Sequence, residues 1–246
     1  MRTLFPYTTL FRSSRHLGLD TANAEQAIEA AADHVSQHLD LDALLAATAT
    51  PPTPSVQAPA PTVTQGSHNV LIARDPAFHF LYPENIKALE TWGRVEFFSP
   101  LETSNLPKDI DLLYLPGGYP ELYLEQLAKN KSLMQDIRDH AIKGGKIIAE
   151  CGGMLFLGRS ITDQSDQPWP MVGLLDIATT MSPKKLTLGY RSYELGGLPL
   201  KGHEFHYSQY VGAPPAEPIF HTPNLLASYS HFYWGENPAA LLHWLG

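Results

Sequence analysis

From Asn69 to Met154 short apolar runs alternate with stretches of helical spacing, and this alternation restricts the possible folds more than any other feature of the chain. Val70-Leu71-Ile72-Ala73 is apolar throughout, residues 82–92 carry helical spacing, and Val95-Glu96-Phe97-Phe98 is again strand-like. A third run, Ile110 to Leu115, stops at Pro116-Gly117-Gly118, and residues 121–142 supply helical turns before a fourth, Lys146-Ile147-Ile148-Ala149-Glu150. Strands that alternate with helices imply an α/β fold, a mostly parallel sheet with helices on both faces. After Gly158 the pattern changes. Residues 186–193 and 203–207 alternate with period two between glycines and prolines, which reads as additional antiparallel or mixed strands, and Pro238 to Trp244 reads as a closing helix.

Ligands of such sheets bind at the carboxyl ends of the strands. Pro116-Gly117-Gly118 and Cys151 both fall at such ends. Cys151 is the one cysteine of the chain, and it follows the fourth apolar run directly and precedes Gly152-Gly153. A tight strand-to-helix turn lifts a side chain clear of the sheet, and adjacent glycines let a substrate carbonyl and backbone N–H donors approach closely. That arrangement suits a nucleophile, with the start of a helix favouring thiolate over thiol. A lone cysteine can equally be a small buried hydrophobe.

A thiol nucleophile needs a base. Among 11 histidines, His231 stands beyond all the strands, where the chain can return to the sheet's carboxyl edge. Gly117 and Gly118, with Gly152 after the cysteine, could supply backbone N–H groups to an oxyanion. His203 and His206 flank Glu204, but in a strand three residues apart means opposite faces, and a helical zinc signature needs His-Glu-x-x-His. No metal is expected there; a packed or substrate-facing role fits better, or a place at the junction with another domain.

The flanking chain bounds the rest. Residues 14–47 are alanine-rich with helical spacing at Ile28, Ala31, Ala32, Val35 and Leu39, which reads as one or two helices, capped by Thr21 or Asn23, whose apolar stripe needs a partner. Residues 48–68 are mainly Ala, Pro, Thr, Ser and Gln, the composition of an extended linker. Residues 1–13 join abruptly to this and resemble the translation of a sequencing-library adapter, so they are expected to be an artefact in place of the natural N-terminal region. With 43% hydrophobic and 17% charged residues the chain can bury a good-sized core. A net charge of −8 without a basic stretch argues against nucleic acid or an anionic membrane as partner, and no apolar run approaches the ~20 residues that span a bilayer. A cytoplasmic enzyme acting on small polar ligands is expected.

Four motifs in order carry a resemblance. Leu115-Pro116-Gly117-Gly118-Tyr119-Pro120-Glu121, Ala149-Glu150-Cys151-Gly152-Gly153-Met154, Gly202-His203-Glu204-Phe205-His206-Tyr207-Ser208 and Ala227-Ser228-Tyr229-Ser230-His231 together resemble the class I glutamine amidotransferase domain of the cobyrinate a,c-diamide synthase family. The resemblance covers residues 69–246, and Arg15-His16-Leu17-Gly18-Leu19 resembles the tail of the same family's ATP-dependent domain. It implies a flavodoxin-like amidotransferase fold in which Cys151 attacks the glutamine amide, His231 serves as base and acid, and Gly118 and Gly152 hold the oxyanion. It also implies that the ammonia goes to a synthetase domain that uses ATP and Mg²⁺ to amidate the a and c carboxylates of a corrin-type macrocycle. A glutamate two residues after the histidine is common in class I amidotransferases, but Tyr233 stands there, so a Cys–His dyad is expected. The chain has no Gly-x-x-x-x-Gly-Lys-Ser/Thr phosphate loop, so residues 14–47 are expected to be the remnant of an ATP-dependent domain missing here. A latent or non-catalytic partner module, or another cysteine hydrolase of the same fold, is the alternative.

Overall fold

The computed structural model of the protein describes residues 24–49 and 66–246. The expectations for residues 1–13, for the caps at Thr21 and Asn23 and for most of the 48–68 linker fall outside those described. The chain separates into two units, residues 1–61 and 62–246.

The first unit holds α1 (Ala24–His38) and α2 (Leu41–Thr48), two helices where the alanine-rich spacing suggested one or two. Asp40 caps α2, its Oδ1 accepting the Ala43 N–H at 3.0 Å. The apolar side chains of Ile28, Val35, Leu44 and Leu45 are exposed.

The second unit runs β1 (His68–Ala73), α3 (Pro83–Trp92), β2 (Gly93–Phe98), β3 (Leu112–Leu115), a 3-10 turn (Pro120–Leu122), α4 (Leu124–Lys129), α5 (Lys131–Ile142), β4 (Lys146–Glu150) and α6 (Gly152–Leu157). It continues with β5 (Ser160–Thr162), β6 (Pro168–Pro170), β7 (Ala178–Thr180), β8 (Thr187–Leu195), β9 (Leu198–His206), β10 (Gln209–Tyr210), β11 (Ile219–Thr222), β12 (Leu225–Ser228), β13 (His231–Phe232) and α7 (Pro238–Leu245).

The main sheet has the order β11-β12-β4-β3-β1-β2. All its pairings are parallel except that of the edge strand β11 with β12. Ranked along the chain, its five parallel strands lie in the order 2-1-3-4-5, the doubly wound arrangement of flavodoxin-like folds. Period-two alternation sorts the core into two layers. Val70, Ile72, Leu112, Tyr114, Ile148 and Leu226 pack with α3 and α7 through Leu89, Trp92, Leu241 and Trp244. Leu71, Ala73, Leu113, Leu115, Ile147 and Ala149 pack with α4, α5 and α6 through Leu127, Leu133, Ile137 and Phe156. Burial on both faces is why these strands read as continuous apolar runs in the sequence.

The strands after Gly158 are antiparallel or mixed, as expected: β11 and β12 extend the main sheet, and the others form two further small sheets, ordered β10-β7-β5-β6 and β13-β9-β8. β8 and β9 make an antiparallel ladder from Thr187↔His206 to Leu195↔Leu198, turning at Gly196 and Gly197, both at positive φ as a tight hairpin requires. Among the described residues no helix is long and apolar enough to cross a membrane.

Candidate active site

Cys151 sits between β4 and α6 with φ 45° and ψ −108°; among the described non-glycine residues only Asp166 also has a positive φ. Its N–H donates to Ser228 O at 2.8 Å and its carbonyl accepts from Leu155 N–H at 2.9 Å, so the strained turn is held from β12 on one side and from α6 on the other. Gly152 is required by contact. A Cβ there would lie 2.8 Å from Pro120 Cδ and 3.0 Å from Gly118 O, because the loop after β3 presses directly on the turn after β4.

The same loop carries Gly117, where a Cβ would overlap the His231 imidazole, with Nδ1 2.7 Å away. The His231 ring stands edge-on to Phe80 at 4.4 Å and lies nearly parallel to His203 at 4.9 Å. Gly117, Gly118, Cys151, Gly152 and His231 therefore gather at the carboxyl edge of the sheet, as their placement in the sequence suggested. Among the described residues no acceptor takes the Gly118 N–H.

His203, Glu204 and His206 divide between two neighbouring places. His203 stacks on His231, and its Nδ1 is 3.0 Å from Tyr82 Oη. Glu204 pairs with Arg191 at 2.7 Å, and His206 stacks on Tyr229 at 3.7 Å. Glu204, His206, Tyr210, Tyr229, Lys185 and Thr187 line one cavity of about 570 Å³. The Glu204 charge bears weakly on Cys151, whose Sγ meets the backbone carbonyl of Phe205 at 4.0 Å. No group of three His, Cys, Asp or Glu side chains among the described residues is arranged to hold a metal ion.

The electrostatics correct one expectation. The start of α6 does not leave Cys151 as a thiolate: burial, with Glu121 adding to it, pushes the thiol up to about 12. The side chain is 6% exposed and α6 is 6 residues long, so desolvation outweighs the helix terminus and the Gly152 N–H. Burial likewise brings His231 down to about 3, with His203 and His206 lowering it further. The Cys151 thiol and the His231 imidazole are therefore both neutral in the resting protein.

Sequence reasoning missed three buried polar side chains beneath the site, Asn85, Tyr114 and Glu150. Glu150 is 1% exposed, and burial raises its carboxyl to about 8. Its signal was a charged residue ending an otherwise apolar central strand; Asn85 inside the apolar stripe of α3 was another.

Residues 69–239 match the profile of the CobB/CobQ-like glutamine amidotransferase domain. The chain belongs to this family. Among curated amidotransferase relatives, it is 38% identical over 226 residues to the hydrogenobyrinate a,c-diamide synthase of Brucella anthropi, covering 87% of this chain and 51% of that protein. It is 38% identical to the enzyme of the same name from Stutzerimonas stutzeri, covering 92% and 56%. The cobyrinate a,c-diamide synthase of Syntrophotalea carbinolica is 35% identical, with the same shares of 92% and 56% covered. The chain thus spans about half the length of these relatives.

Proposed function

We propose that this amidotransferase domain hydrolyses glutamine to glutamate and ammonia through Cys151 and His231. The observation that carries the reading is the convergence, at one sheet edge, of a strained cysteine turn, a buried imidazole and a glycine loop with an unoccupied N–H. Cys151 Sγ attacks the side-chain carbonyl carbon of glutamine as His231 takes the thiol proton, and the Gly118 and Gly152 N–H groups receive the developing oxyanion. His231 passes that proton to the leaving nitrogen, the C–N bond breaks, and ammonia departs from a Cys151 thioester. Water then attacks the thioester with His231 as base, the C–S bond breaks, and the proton returns to the thiol.

The a,c-diamide synthase names of the relatives support an amidation as the destination of the ammonia. In this reading a synthetase domain that uses ATP and Mg²⁺ takes it to amidate the a and c carboxylates of a corrin-type macrocycle.

A latent form of the same reading has its own support: thiol and imidazole are both buried and both neutral, a closed resting site. Glutamate release by the full chain, compared with Cys151→Ser, tests the activity. Release above that control supports independent hydrolysis. Release only after a separately produced synthetase domain is added supports latency, and none in either case overturns the reading.

A further inference from the structure

His231 Nδ1 is buried and has no hydrogen-bond partner, and the side chain two residues on is Tyr233 rather than a carboxylate. Something other than an acceptor on the ring must fix the imidazole. We propose that Asn85 and Glu150 are positioning residues that clamp the backbone immediately after His231 and so aim its ring at Cys151; this rests on the reading of His231 as the base.

The geometry is specific to that backbone. Asn85 Nδ2 donates to Phe232 O at 2.8 Å, and Asn85 Oδ1 accepts the Trp234 N–H at 2.9 Å, so one amide grips the chain at both ends of Tyr233. Glu150 Oε1 accepts the Phe232 N–H at 3.3 Å, which engages the peptide joining His231 to Phe232. Tyr114 Oη, 3.5 Å from Asn85 Nδ2, completes the group. Asn85 and Glu150 are essentially without solvent exposure, and each comes from a rigid element, α3 and β4. On the opposite side β13 pairs with β9, His231 against His203. The backbone of His231–Trp234 is therefore held from both sides, while the ring itself packs against Phe80, His203 and the Gly117 backbone. Glu150 is also bonded through the chain to Cys151, so one residue links the placement of the nucleophile to that of its base.

A clamp of this kind acts on the rate only through His231, and misplacement of a reacting group by about 1 Å costs on the order of 100-fold. The test uses the full chain with labelled histidine, and the ring signals of His231 are assigned by their loss in His231→Ala. Asn85→Ala should broaden or shift those signals. Glu150→Gln, which keeps an acceptor for the Phe232 N–H, should preserve them where Glu150→Ala does not. Should Asn85→Ala fold poorly, Asn85→Asp retains the acceptor for Trp234 and removes the donor to Phe232. Unchanged His231 signals in a folded Asn85 variant overturn the clamp, whether or not the chain proves to be a glutaminase. That separate question is decided by wild type against Cys151→Ser. Where glutaminase activity is present, Asn85→Ala should lower kcat by about 10-fold or more with KM for glutamine little changed, and should lower it no further in a His231→Ala background. A further loss in that background also overturns the proposal, because it would show an effect independent of His231.

Discussion

At the scale of single residues, Cys151 holds a conformation that costs on the order of 1–3 kcal/mol in a non-glycine residue, and Ser228, Leu155 and the packing of Gly152 keep it there. Because burial pushes the thiol up to about 12, the thiolate is scarce at neutral pH in the resting protein. Alkylation of Cys151 by iodoacetamide should accordingly be slow at pH 7 and should keep rising with pH beyond 9; a plateau near pH 6–7 would instead indicate a thiolate–imidazolium pair and contradict the neutral resting site. Gly117 makes a second prediction. An added methyl group meets the His231 ring, and overpacking of this kind costs about 1–3 kcal/mol when the neighbour must move. Gly117→Ala should lower glutamate release by about 10-fold or more while the main sheet stays folded, read by circular dichroism and steady-state kinetics. That Gly117, Gly118, Cys151 and Gly152 lie at one sheet edge was legible in the sequence, because both segments directly follow apolar runs that form neighbouring parallel strands, β3 and β4. The ionisation of Cys151 was not legible. A helix start is visible in a sequence, whereas the burial that opposes it, and the Glu121 charge that adds to it from 30 residues away, arise only in the folded chain.

At the scale of elements, β1, β3 and β4 were readable because burial on both faces leaves continuous apolar runs, and α3 and α7 because Pro83 and Pro238 stand at their first turns. β3 starts at Leu112 rather than Ile110, since Asp111 is occupied in holding β1: its Oδ2 accepts the Asn69 N–H at 2.7 Å. β5, β6, β7, β10 and β13 have 2 or 3 residues each, too few for period two to emerge, so the four-stranded sheet could not be seen in advance. The nine-residue strands β8 and β9 could, but which sheet they join is a matter of tertiary pairing. β4 is the element on which the site depends most, lying between β3 and β12 and ending in Glu150, directly before Cys151. Ile148→Ala, fully buried on β4, should destabilise the second unit by about 2–5 kcal/mol, whereas Ile142→Ala, at 80% exposure on α5, should change stability by about 0.5 kcal/mol or less. Urea unfolding of both variants checks the contrast, and equal effects would contradict the two-layer core.

At the scale of the whole molecule, the two core layers draw only on residues from Val70 onward, so the second unit carries its own hydrophobic interior. Its stability should depend on pH in a way set by the buried groups of the site. Glu150 is raised from 4.5 to about 8, so between those values the native state binds a proton that the unfolded chain has released. The stability this contributes is fully present below about pH 4.5 and is lost as pH rises through about 8. His231, lowered from 6.5 to about 3, works in the opposite sense: its contribution is complete above pH 6.5 and is lost as pH falls toward 3. The two oppose each other between pH 4.5 and 6.5, but above 6.5 the groups of the site that still titrate are carboxyls, Glu150 and Glu121, which burial raises to about 8 and about 7. Tm should therefore fall between pH 6.5 and 8.5, and Glu150→Gln, which has no proton to lose, should flatten that decline. A wild-type Tm that is level or rising across this interval would mean that Glu150 is already ionised in the folded protein. The carboxylate would then bind the Phe232 N–H with a charge-assisted hydrogen bond, and the neutral variant would lose part of the grip on the histidine segment that the protonated acid is argued to keep.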